Sequence, residues 1–174
     1  MTFDDEKKFE DAVIEQLKEY GWEKEVIEYP TEEELIHNWA DILFANNRQQ
    51  DVLNDCPLTD GEMQQILEQV ISLRTPVRLN EFINGKSVGI KRENPDDTQN
   101  FGKEVSLKIY DRREIALGSS RYQIVRQPKF KTAPRLNDRR GDLMLLINGM
   151  PVIHIELKKS GIPVSNAYNQ IEKY

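Results

Sequence analysis

Asp142, Glu156 and Lys158 are the residues whose types and spacing are best suited to chemistry in this chain. Asp142 opens the strand-like run Leu143 to Ile147. An Asn148-Gly149 turn follows, and a second run ends in Glu156-Leu157-Lys158. A hairpin of this kind can bring two carboxylates and an ammonium to neighbouring strand ends. That set suits a divalent metal and a water poised beside a phosphodiester. Two hard carboxylates, with the Leu157 backbone carbonyl and waters, fit Mg²⁺ with several positions left open. Lys158 would orient the water and balance charge building on the phosphorane-like transition state.

The hairpin must satisfy a geometric condition for this to hold. Strand side chains alternate, so Glu156 and Lys158 share one face and Leu157 takes the other. A regular two-residue turn at Asn148-Gly149 pairs Ile147 with Met150, hence Asp142 with Ile155, and turns Glu156 away. A three-residue loop pairs Asp142 with His154 and restores the common face. The metal reading therefore requires an odd loop or a bulge, and Pro151, which cannot donate to a regular ladder, favours such an irregularity. His154 would share the Glu156 face, as a hydrogen-bond partner behind the site or as a packing residue. The triplet alone has little weight, since Glu6-Lys7-Lys8 repeats it at a helix start.

Elements that position these residues are legible from periodicity. Phe9, Ala12, Val13, Leu17 and Tyr20 form a helical stripe closed by Gly21. Thr31-Glu32-Glu33-Glu34 reads as an N-cap with acids in the first turn, followed by Leu35, Ile36, Trp39, Ile42 and Leu43 at helical spacing. Thr59 or Asp60 opens a third helix through Met63, Ile66, Leu67, Val70 and Ile71. A short segment then meets an Asn84-Gly85 turn, and Lys86 to Gly102 reads as a long polar loop. Strands are expected at Val105 to Ile109, Glu114 to Leu117, Tyr122 to Arg126, Leu143 to Ile147 and Val152 to Leu157, with a helix from about Ser165. Trp22 and Trp39 fall among apolar residues at packing spacing and read as core. Helices first and strands later suggest one α/β or α+β domain over residues 1–174, with a helical insertion over 31–84 and a catalytic core over 105–174. The last helix stops at Tyr174 without a cap, which reads as a fragment of a longer subunit.

At 174 residues, with 38% hydrophobic and 31% charged residues, the chain is long enough for one cored domain and well clear of the disordered regime. No apolar run approaches the length needed to span a bilayer, and the acidic start is unlike a signal peptide. A single cysteine, Cys56, excludes an internal disulfide and cysteine-based zinc clusters, so a reducing cytoplasm is the expected location. The net charge of -6 is unevenly spread. Thirteen acids face four lysines between Met1 and His37, whereas nine bases face two acids between Arg112 and Arg140. The basic stretch includes Arg126, Lys129, Lys131, Arg135, Arg139 and Arg140 and runs straight into Asp142. It reads as a track for nucleic-acid phosphates, in competition with a solvated basic sheet edge. Lys159, by alternation on the face opposite Lys158, joins the candidate DNA contacts.

These residues resemble the PD-(D/E)xK nuclease superfamily, and more narrowly the N-terminal domain of the restriction subunit (HsdR) of type I restriction enzymes. The stretch from Arg140-Gly141-Asp142 through Asn148-Gly149-Met150-Pro151 to Glu156-Leu157-Lys158 carries the resemblance. Gln170-Ile171-Glu172-Lys173-Tyr174 fits the Q-x-x-x-Y motif of RecB-like nucleases, with both side chains on one helix face. The first helix with Phe9-Glu10, the following Gly21-Trp22, and the strand from Tyr122 to Phe130 with Gln127 are similar to the same subunit. Gly141 stands where the superfamily usually has proline.

The resemblance implies a restriction-endonuclease-like fold, a central mixed sheet flanked by helices. It implies Mg²⁺-dependent cleavage of double-stranded DNA by a domain fused to ATP-driven motor domains and assembled with methyltransferase and specificity subunits in a bacterial or archaeal cytoplasm. It maps Asp142, Glu156 and Lys158 onto the catalytic triad, and Gln170 and Tyr174 onto the auxiliary motif. Glu10 maps onto the first-helix acid, with Glu15 as a rival. ATP would belong to the motor region only, because Gly85-Lys86-Ser87 lacks the earlier glycine of a phosphate-binding loop and reads as a turn. The competing readings are a non-catalytic DNA-binding or subunit-coupling module on the same fold, and a plain interaction domain.

Overall fold

The computed structural model describes residues 6–73, 75, 77–78, 82, 87–109, 120–130, 139–158 and 161–171. Along the chain these form α1 (Glu6–Glu19), β1 (Val26–Glu28), α2 (Glu32–Asn47), α3 (Asp60–Ile71), β2 (Ser87–Lys91) and β3 (Glu104–Lys108). They continue as β4 (Tyr122–Arg126), β5 (Lys129–Phe130), β6 (Arg139–Arg140), β7 (Leu143–Ile147), β8 (Met150–Ile155) and α4 (Val164–Ile171). Two compact units result, one from residues 1–35 with 121–174, the other from 36–120. The expected strand at Glu114 to Leu117 and the Asn84-Gly85 turn lie outside the described residues.

The first unit is built on a mixed sheet in the order β1-β4-β7-β8. β1 runs parallel to β4, while β4 with β7 and β7 with β8 are antiparallel. Alternation gives the sheet two apolar faces. Leu143, Leu145, Ile124 and Leu157 pack with Ile14, Phe9, Val13 and Leu17 of α1. Met144, Leu146 and Val125 pack on the other face with Leu35, Ile27 and Phe130. β7 is buried on both faces, so it reads as a continuous apolar run rather than an alternating one. Trp22 meets Tyr122 edge to face, with ring centroids 5.6 Å apart, as a core residue. The expected N-cap is present: Thr31 Oγ1 accepts from the Glu34 N–H (3.2 Å), and a Glu34 carboxylate oxygen accepts from the Thr31 N–H (2.7 Å). Such a reciprocal cap contributes on the order of 1 kcal/mol.

The β7–β8 hairpin meets the geometric condition by a bulge. Asn148 (φ 51°) and Gly149 (φ 84°) make a two-residue turn of the kind that needs positive φ at both positions, and Ile147 pairs with Met150. The register then slips beside Pro151: Leu146 faces Pro151, but Leu145 faces Ile153, leaving Val152 as the extra residue. Leu143 consequently faces Ile155, and the next step outward sets Asp142 opposite Glu156. Directly opposed residues share a face, so the two carboxylates do.

The second unit packs α3 beside an antiparallel β2–β3 pair. β2 replaces part of the loop expected from Lys86 to Gly102. Val88 and Ile90 are buried while Ser87, Gly89 and Lys91 are exposed, an alternation too short to stand out in a polar stretch. The strand near Val105 pairs with β2, so it belongs to a different sheet from the β4, β7 and β8 strands it was expected to join. Side-chain amides serve part of each edge of this small sheet. Gln65 accepts from the Lys91 N–H (2.8 Å) and donates to its carbonyl (3.1 Å), and Gln69 donates to the Gly89 carbonyl (2.8 Å). Asn47 does the same for Lys108 on the other edge, at 2.8 and 3.0 Å. Backbone groups left unpaired by a two-stranded sheet thereby find partners.

Candidate active site

Asp142 and Glu156 stand together at the open end of the hairpin. Asp142 Oδ2 accepts from the Leu157 N–H at 2.6 Å, which ties its side chain to the end of β8. The Glu156 side chain is fully buried and lies 3.3 Å from Lys158 Nζ through Oε1, and 3.7 Å from His154 Nε2 through Oε2. Burial pushes the Glu156 carboxyl up to about 7, the Asp142 charge pushes it the same way, and Lys158 opposes both. The three residues singled out by spacing are therefore brought into one cluster.

The shift has a stability consequence. The folded value of about 7 exceeds the ordinary 4.5, so the folded protein holds a proton that the unfolded chain would release. That contribution is complete below about 4.5 and is lost as pH rises through about 7. Thermal midpoints of the ion-free protein will fall between pH 5 and 7, and Glu156→Gln will flatten that fall. An unchanged slope in the variant would show that Glu156 is not the group responsible.

The donor set fits a hard divalent cation. Burial first, and then the Asp142 charge, favour the protonated Glu156 carboxyl, and a cation between the two carboxylates would take that proton's place. Among the described residues no group of three or more His, Cys, Asp and Glu side chains is placed to hold a metal, so an ion here would need main-chain carbonyls or water as its further ligands. His154 sits behind the carboxylates. Burial holds its imidazole below the usual value, against the pull of Asp142, and its ring packs 6.1 Å from that of Phe130. A Cβ on Gly141 would lie 2.5 Å from His154 Nε2, so the imidazole occupies the space a side chain would need there.

The whole chain from residue 4 to residue 174 matches the family of the type I restriction enzyme R protein N terminus. The chain belongs to that family. It is 33% identical over its full length to the endonuclease subunit of a type I restriction enzyme of Staphylococcus saprophyticus, and 29% identical to one from Staphylococcus aureus. A stretch covering 42% of the chain is 34% identical to the EcoprrI endonuclease subunit of Escherichia coli, 22% of which it covers. The chain spans 17% of the length of the staphylococcal relatives.

Other expected site residues of this R-protein N-terminal domain are placed as follows. Glu10 is buried on the α1 side of the sheet, where its carboxylate accepts from Arg126 Nε (2.9 Å) and Gln127 Nε2 (3.3 Å). Arg126, expected in the phosphate track, is only 11% exposed in its side chain and is also paired with Asp11 (2.9 Å) and Glu28 (4.0 Å). Three carboxylates account for its guanidinium, which makes it a strut between α1 and the sheet and removes it from the track. Arg121 is likewise paired, with Glu23, through two 2.8 Å bonds. Lys129 and Arg140 face one another across the β5–β6 ribbon immediately before Asp142, with Arg140 exposed. The Arg139 backbone belongs to this ribbon. Lys131, Arg135, Lys159 and Tyr174, with the side chains of Arg139 and Gln170, lie outside the described residues. Among the described residues no helix is long and apolar enough to cross a membrane. The sequence placed Gln127 in the strand leading to the site but assigned it no role there; its amide meets Glu10 and its N–H the Asp142 carbonyl.

Proposed function

We propose that this chain is the endonuclease domain of a type I restriction enzyme R subunit, cutting double-stranded DNA with the help of Mg²⁺. The observation that carries the reading is the convergence of Asp142, Glu156 and Lys158 at one strand-end cluster, with the Asp142 carboxylate tied to the Leu157 N–H. Family membership and the names of the relatives support it. Asp142, Glu156 and the Leu157 carbonyl would hold Mg²⁺, which when bound polarises the scissile phosphate and lowers the pKa of a coordinated water.

The chain's own groups do the remaining work. Leu157 N–H and the bulged register fix where the Asp142 carboxylate points. Lys158, already beside Glu156, lies where it can steer a water and offset charge on the phosphate. Lys129 and Arg140, on the ribbon leading into Asp142, would take backbone phosphates, a contribution that weakens with salt. Burial keeps bulk water from the Glu156 side of the cluster. ATP-driven motor domains, the methyltransferase subunit and the specificity subunit would deliver the DNA, as the resemblance to the type I restriction subunit implies. The test is nicking of supercoiled DNA by the assembled complex carrying Asp142→Ala or Lys158→Ala. Loss of nicking with ATP hydrolysis intact supports the reading, and undiminished nicking overturns it.

A further inference from the structure

The register between β4 and β7 does not end with those strands. Arg126 faces Leu143, and beyond a gap Lys129 faces Arg140 without any slip. Gln127 thus lies directly opposite Asp142. Its N–H donates to the Asp142 carbonyl at 2.8 Å, and the Gly141 N–H donates to the Pro128 carbonyl at 3.2 Å. What interrupts the strand is the backbone of Gln127 itself, at φ +47°, a conformation uncommon for a residue with a long side chain.

That conformation changes where the side chain goes. A residue in regular strand geometry opposite Asp142 would share its face. Gln127 instead sends its amide to Glu10, the same buried carboxylate that receives Arg126. The left-handed turn keeps the amide off the carboxylate face, and the main chain stays bonded to Asp142.

We propose that Gln127 is a positioning residue: anchored to Glu10 by its side chain and to the Asp142 carbonyl by its N–H, it fixes Asp142 relative to α1. On this account Glu10 acts on the site through Gln127, as an anchor and not as an ion ligand. The idea rests on the nuclease reading only for its activity measurement. Partners one step behind a metal ligand typically matter by about 10- to 100-fold in affinity or activity.

The Leu157 amide is the reporter, because its proton is held by the Asp142 carboxylate. Hydrogen exchange is measured on the full-length subunit in its complex, for the wild type, Gln127→Glu, Gln127→Gly and the exchanged pair E10Q/Q127E. Gln127→Glu sets a second carboxylate against Glu10. It will speed Leu157 exchange by about tenfold and lower cleavage by about 10- to 100-fold, with Leu145 exchange in the middle of β7 unchanged. The exchanged pair restores a carboxylate–amide contact and will recover both readouts. Gln127→Gly, which adopts positive φ freely, will also speed Leu157 exchange, and it decides the matter should Gln127→Glu fail to fold. Wild-type exchange at Leu157 in the variants, or equal acceleration at Leu145, overturns the proposal. A wild-type complex that cuts no DNA would defeat the nuclease reading while the exchange result still decides this one.

Discussion

Asp142→Ala will abolish both divalent-ion binding and DNA cleavage, whereas Lys158→Ala will lower cleavage by about 100- to 1,000-fold and leave ion binding in place. The difference follows from the atoms each residue offers. Asp142 supplies one of two side-chain carboxylates in the cluster, and its removal leaves Glu156 without a second carboxylate to share an ion. Lys158 supplies no lone pair to a metal and acts by charge alone, 3.3 Å from Glu156. Losing a single stabilising donor at a reacting centre costs about 100- to 1,000-fold in rate, and that is the fall expected for Lys158→Ala. Asp142→Ala should show no cleavage above background. Titration calorimetry with Mn²⁺ and a nicking assay on the same preparations separate the two. A Lys158→Ala complex that cuts at the wild-type rate would remove the lysine from the chemistry.

Arg92→Ala will cost about 3–5 kcal/mol of stability, the amount typical when one partner leaves a buried ion cluster. Arg92, Glu62 and Asp97 have side chains with no exposed surface. The guanidinium donates to both Glu62 oxygens at 2.7–2.8 Å, to Asp97 at 2.8 Å and to the Cys56 carbonyl at 3.0 Å. Glu62 meanwhile caps α3 through the Thr59 N–H (2.8 Å) and takes the Glu93 N–H (2.6 Å). Removing Arg92 strands two carboxylates out of water. Arg92→Lys will recover only part of the loss, because an ammonium cannot reproduce the planar fork. Urea unfolding followed by circular dichroism measures both variants. Burial alone would raise the Asp97 carboxyl, but hydrogen bonds from Asn54, Arg92 and the Asn100 N–H outweigh it and hold the group below its ordinary value. Its contribution is therefore present above the ordinary 3.8 and fades as pH falls through the lower folded value. An Arg92→Ala protein as stable as the wild type would contradict this account of the second unit.

What could be read from sequence was local. Thr31 with Glu34 and Thr59 with Glu62 announce helix starts because a capping box needs only four residues. The β4 and β7 limits coincide with the expected runs; β7, buried on both faces, shows as uninterrupted apolar sequence, and β4 is marked by Tyr122 and the Ile124-Val125 pair. The candidate site was legible in its residues, while its register was not. Asn148-Gly149 by itself pointed to pairing that would have separated Asp142 from Glu156, and only the bulge at Val152 reverses this. Arg126 could not be told from a phosphate contact, because its carboxylates come from α1 and β1, about a hundred residues earlier in the chain. Glu62 likewise carries no local sign of its ion pair, with its Arg92 partner on a loop 30 positions away. The role of Gln127 was hidden for a different cause: positive φ in a glutamine has no signature in residue type.

Locating Mn²⁺ by anomalous diffraction in crystals of the protein tests the central claim most directly. One peak touching both the Asp142 and Glu156 carboxylates is the expected result. Crystals saturated with Mn²⁺ that show ordered carboxylates and no density joining them would contradict it.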